Sequence, residues 1–269
     1  TTTFPDRPKT LFIKMADILQ SSANMTEETL LASARFHNHL PPDTAFPQID
    51  QLSDGFEELG AIIAKYNAHR HFRLRLLHRH TIISEGQVLL GVPVTKPSGF
   101  WTTPTPISDI DLQKVHPHII SADASGCLDD SNMRNDYLFP SEFREGALAN
   151  FGNINSKFFK EFTDCLREKG LEEVFGLRVV QGRQPGKMIE FSFDTGSLLL
   201  NEDEVKAEVR GQLVSRETEW AVRVKGAVVY KDGETRCVVY PTGHVRASKG
   251  QVKTVLDALD VLREEGVLA

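Results

Sequence analysis

The chain has 269 residues, with 31 Lys and Arg against 37 Asp and Glu, for a formal net charge of −6. That balance lacks the basic footprint of a nucleic-acid binder, and no apolar run approaches the ~20 residues of a membrane-spanning helix. A chain this long buries roughly 75% of the surface its unfolded form exposes, so it needs neither disulfides nor a structural metal to fold.

The first third reads as helical. Residues 9–20 place Leu11, Phe12, Met15, Ile18 and Leu19 on one face. Thr26 is set to cap a second helix reaching about residue 36, with Glu27 and Glu28 favourable against its N-terminal dipole. Ser53 is set to cap a third, whose apolar stripe is Phe56, Leu59, Ile62 and Ile63. Residues 1–66 are therefore expected to form a helical lobe.

Residues 69–80 hold four histidines and four arginines. Here the period changes to two, because Phe72, Leu74 and Leu76 alternate with Arg73 and Arg75 as in a half-buried strand. Residues 87–94 read as its apolar partner, giving a His-rich hairpin over 67–94. Residues 95–155 are rich in Pro, Ser, Thr, Asp and Asn and lack strong periodicity. They read as a long irregular segment, packed as a lid through Phe100, Trp101 and Tyr137.

Residues 156–169 put Phe158, Phe159, Phe162 and Leu166 on one helical side, and Gly170 supplies a stop. Residues 174–180 and 187–193 flank a Gly/Pro-rich stretch and read as a hairpin. Residues 220–230 and 235–240 flank Asp232-Gly233, a type I′ turn signal. Ser248 and Gln251 form a capping-box pattern before a last helix with Val252, Val255, Leu256, Leu259 and Leu262 on its apolar face. The expected fold is a single α+β domain: a helical N-terminal lobe, an antiparallel β-sheet that can be barrel-like, and a closing C-terminal helix.

His78 and His80 are two apart, so on a strand both imidazoles point to one side, a geometry that chelates a metal. His116-Pro117-His118, followed by Asp123 and Cys127, repeats the spacing in the irregular segment. His244 follows a strand, a common place for a ligand or catalytic base. No G-x-S-x-G, P-loop, G-x-G-x-x-G or H-E-x-x-H motif is present. Cys127, Cys165 and Cys237 are widely spaced and odd in number, as in a cytoplasmic protein with reduced, structural thiols.

His78-x-His80, four residues, Glu85, five residues, Gly91 resembles the first metal-binding motif of the cupin family. Pro241-x-Gly243-His244 is the nearest match to the second motif, and Phe72 stands where the family has its leading Gly. The resemblance covers some twenty residues. It implies a double-stranded antiparallel β-barrel and a metal held by His78, His80 and Glu85. Strand geometry sets a condition on Glu85. If the chain runs straight to a turn at 84–86, Glu85 lies about 20 Å from His78 at ~3.3 Å per residue, and it joins only if the chain turns earlier.

The leading expectation is a metal-dependent oxidoreductase or hydrolase acting on a small anionic organic molecule. His78, His80 and Glu85 would hold a divalent Fe, Zn or Mn ion, His244 would serve as a third ligand or base, and Arg73 and Arg75 would bind substrate. On an unbroken strand Arg75 faces away from His78, so a bulge or twist has to intervene. The rival is a metal-free small-molecule or protein-binding module using the basic strand.

Overall fold

The computed structural model describes residues 25–42, 52–122, 138–146, 154–180, 186–226, 228–240 and 252–269. Its centre is a closed barrel of ten strands. They are β1 (Phe72–Leu76), β2 (Gln87–Val94), β3 (Gly99–Pro106), β4 (Val115–Ala122), β5 (Leu138–Glu145), β6 (Phe175–Val179), β7 (Met188–Phe193), β8 (Gly196–Asn201), β9 (Ser215–Lys225) and β10 (Val228–Val238). Around the barrel the order is β1-β6-β4-β5-β2-β3-β8-β7-β10-β9, and β9 closes on β1. The sheet is mixed, since β2 pairs with β5 and β7 with β10 in parallel. The fold is thus α+β with a barrel, and the all-antiparallel expectation is corrected.

Helices α1 (Glu27–His39), α2 (Ser53–Lys65), α3 (Ser156–Lys169), α4 (Ala207–Arg210) and α5 (Val255–Glu264) are the α-helices of the described residues. The first two do not form a separate lobe. Leu30 of α1 and Leu59 and Ile63 of α2 share one core with the outer faces of β1, β2, β5 and β6. Thr26 caps α1 by accepting from the Thr29 amide at 3.2 Å. Asn155 caps α3, and Gly170 ends it at φ 64°, a left-handed conformation that glycine adopts without a Cβ clash. The capping box of α5 is Thr254 with Asp257, six residues beyond the one expected at Ser248 and Gln251, which lie outside the described residues. Residues 9–20 lie outside them too.

The barrel is polar within and apolar without. On β1, Phe72 stacks on Phe158 of α3 at 5.6 Å between ring centroids, while Arg73 and Arg75 point into the barrel. Arg75 meets Glu190 of β7 although β1 and β7 are not neighbours, so the two side chains meet through the interior. All of β1 is buried, on both faces. Alternation in this chain separates helix-facing from barrel-facing residues, not core from solvent.

Four sequence expectations change accordingly. β2 pairs with β3 and β5, not with β1. The 95–155 stretch supplies β3, β4 and β5 of the barrel wall, so it is no single irregular lid. β6 pairs with β1 and β4, and β7 with β8 and β10, so these two do not form a hairpin. Asp232-Gly233 lies inside β10 at a register shift, and the β9–β10 turn falls after Lys225, where Gly226 has φ 61°.

Candidate metal centre

β1 ends at Leu76, and the chain leaves the barrel wall there. Arg79 bonds out to the segment after α1: its amide donates to the Pro41 carbonyl at 3.0 Å and its Nε to the Leu40 carbonyl at 2.8 Å. Pinned on that side, the segment turns His78 and His80 together. Their Nε2 atoms are 3.1 Å apart. The break also resolves the facing problem, because Arg75, His78 and His80 all line one cavity.

Two further donors come from strands far along the chain. Glu190 sits mid-β7 between Ile189 and Phe191, and Cys237 lies near the end of β10, which pairs with β7 in parallel. The His80 Nε2 atom is 3.8 Å from both Glu190 Oε1 and Cys237 Sγ. One donor atom from each of His78, His80, Glu190 and Cys237 lies within 4.8 Å of every other. Tetrahedral ligands at the ~2.0–2.3 Å of Zn–N and Zn–S bonds stand about 3.3–3.7 Å apart. The four residues therefore fit a single metal ion with little movement.

The protonation pattern suits this role. His78 Nδ1 faces the Leu76 carbonyl at 3.1 Å. A carbonyl only accepts, so Nδ1 carries the hydrogen and the Nε2 lone pair points into the cluster, the usual backing of a metal-bound imidazole. Burial, then His80 and Arg75, keep His78 neutral by pushing its pKa well down. Burial alone would raise the Glu190 carboxyl, but the Arg75 guanidinium beside it outweighs that and holds Glu190 below the usual range. Burial pushes the Cys237 thiol up against the opposing pull of His80.

The cavity beside the cluster, about 40 Å³, is bounded by His37 and Leu40 from α1 and its end, Leu89, Thr102, Ser141, Glu142 and Ser197. Deeper charges are paired across the barrel. Arg73 donates to Glu234 at 2.6 Å, Arg75 to Glu190 at 3.1 Å and Arg178 to Glu219 at 2.6 Å. His118 lies 3.9 Å from Glu142. Burial lowers His118 well below its ordinary value and raises the Glu142 carboxyl to about 7.

The structure brings together three of the residues expected from sequence, His78, His80 and Arg75, whereas Arg73 pairs with Glu234 and does not line the cavity. Glu85 is exposed in the turn before β2 and is not among the clustered donors. No strand connects His78 to that turn, and Glu85 still does not join the cluster. His244, Asp123 and Cys127 lie outside the described residues. Glu190, Glu142 and Cys237 went unnoticed as site residues. The signal for Glu190 was present, as a lone acid inside the apolar run of β7. Cys165 and Cys237 are both buried and form no disulfide.

Among the described residues no helix is long and apolar enough to cross a membrane. The closed barrel and the His/Glu/Cys cluster are compatible with the resemblance drawn from the His78-x-His80 motif. No protein-family model, curated protein or solved structure matches the chain.

Proposed function

We propose that the protein is a metal-dependent enzyme acting on a small anionic organic molecule inside its barrel, with His78, His80, Glu190 and Cys237 as the metal-holding residues. The observation that carries this reading is the convergence of those four donors on one point beside a cavity. Two imidazoles, a thiolate and a carboxylate favour Zn or Fe over Mn, which prefers oxygen ligands. When bound, such an ion supplies Lewis acidity, and in the case of iron redox chemistry as well.

The chain's own residues contribute the rest. Glu190 is already held by Arg75 through Oε2, which orients Oε1 toward the cluster. It is also the donor that an incoming group displaces most cheaply, because its charge stays compensated by Arg75. Glu142 lines the same cavity and, with a pKa near 7, is suited to give or take a proton there. A cytoplasmic setting agrees with Cys165 and Cys237 forming no disulfide.

Elemental analysis of the purified protein tests this reading. The expected result is near-stoichiometric Zn or Fe, or stoichiometric uptake when either is supplied, with both lost in the His78→Ala, His80→Ala double variant. Trace metal and no uptake would leave the rival reading, a metal-free binding barrel.

A further inference from the structure

Four arginines lie buried within the barrel: Arg73, Arg75, Arg144 and Arg178. Three of them reach a glutamate at 3.1 Å or less. Arg144 reaches none. Among the described residues it makes no ion pair, and its buried Nε has no hydrogen-bond partner. It is only 6% exposed. An uncompensated buried charge is costly, by several kcal/mol even after relaxation, so its retention calls for a counter-charge beyond those the described residues supply.

The surroundings are built to hold this side chain. Its guanidinium lies 3.7 Å from the centroid of the Phe100 ring, a cation–π arrangement that occupies its face and leaves its edge free. Gly91 on β2 makes the space: a Cβ there would come within 3.3 Å of the Arg144 Cγ and 3.1 Å of the Thr102 hydroxyl. Arg144 lies two residues from Glu142 on the same face of β5, and Glu142 and Thr102 both line the cavity beside the metal donors.

We infer that Arg144 is the anchor for a carboxylate group of the ligand, held by the guanidinium edge with Thr102 alongside. This rests on the reading of the barrel as a small-anion site and names the charged group that enters it. A planar carboxylate matches the guanidinium fork in two parallel hydrogen bonds. A phosphate dianion fits less well, because the carboxylates of Glu142 and Glu190 line the same cavity. Burial, with Arg178 and Arg75 nearby, pulls the Arg144 pKa down to about 9 against the opposing effect of Glu142, in keeping with a cation short of a partner.

The test is calorimetric titration of acetate, glycolate, benzoate and inorganic phosphate into full-length protein, metal-stripped and Zn-loaded. At least one carboxylate is expected to bind, and better than phosphate. Arg144→Gln should weaken it by roughly 10- to 150-fold, as for loss of a charge-assisted hydrogen bond. Arg144→Lys, which keeps the charge but not the fork, should weaken it about tenfold, and Phe100→Leu should weaken it with Arg144 intact. Circular dichroism of each variant establishes that it is folded, and the Lys and Leu variants carry the test if the Gln variant does not fold. No carboxylate binding by wild type, a preference for phosphate, or equal binding by wild type and Arg144→Lys would overturn the assignment. Carboxylate binding through Arg144 in a protein that takes up no metal would sink the metal reading and leave this one standing. Metal uptake without carboxylate binding would do the reverse.

Discussion

Arg178 and Glu219 show what burial does to an ion pair, since their side chains are 5% and 1% exposed. Removing one partner strands the other charge, so Arg178→Met should cost about 3–5 kcal/mol. Arg178→Met with Glu219→Leu should recover most of that loss, because the desolvation cost of both ions is then gone. Urea unfolding of the two single variants and the double variant measures this. The same burial gives the metal-free protein a pH dependence. His37 and His116 titrate near 4 when folded, and His118 well below its ordinary value, each chiefly because burial disfavours the imidazolium. Their folded values lie below the 6.5 of the unfolded chain, so stability is whole above pH 6.5 and is lost as pH falls toward 4. Glu142, raised by burial to about 7, acts the other way: its contribution is complete below its ordinary 4.5 and lost as pH rises through 7. Three histidines outweigh one carboxyl, so the urea midpoint should fall between pH 7 and pH 5. A flat or rising midpoint would show that these histidines are not buried neutral. The pair His78 and His80 was legible in sequence because two-residue spacing is a local property. Glu190 and Cys237 were not, because they reach the cluster only when β7 and β10 take their places in the closed barrel.

At the level of elements, the helices were readable and the strand pairings were not. The run Phe158, Phe159, Phe162 and Leu166 marks one face of α3, and all four are buried on the barrel wall. Phe158 touches Phe72, Tyr66, Phe159 and Phe162. Phe158→Ala should therefore cost about 3–5 kcal/mol, read from thermal or urea unfolding, while binding inside the barrel stays unchanged in the folded protein. A cost below 1 kcal/mol would mean that α3 does not support β1. Strand partners depend on contacts remote in sequence, and local turn chemistry misled. Asp232-Gly233 has the composition of a hairpin turn. In the barrel Gly233 instead lies against the Glu217 carboxylate on β9, which a Cβ there would have to push aside. Glycine marks both turns and close approaches, and only the pairing tells them apart.

For the whole molecule, the barrel divides the work between its two faces. The outer face, with helices α1, α2, α3 and α5 laid on it, supplies the hydrophobic core. The inner face carries arginines, glutamates and histidines and contributes the site. Closure leaves no unpaired sheet edge at the ends of the strand order. A fold held from outside does not depend on the metal, so the His78→Ala, His80→Ala double variant should remain folded. The most direct test of the central claim, that His78, His80, Glu190 and Cys237 hold one metal ion, is cobalt(II) titration of metal-free protein followed by absorption spectroscopy. The expected result is saturation at one equivalent, with intense visible bands of a tetrahedral ion and a near-ultraviolet thiolate charge-transfer band. Both should vanish in the His78→Ala, His80→Ala variant, and Cys237→Ser should remove the thiolate band. Weak octahedral bands alone, or a thiolate band that survives Cys237→Ser, would contradict the account.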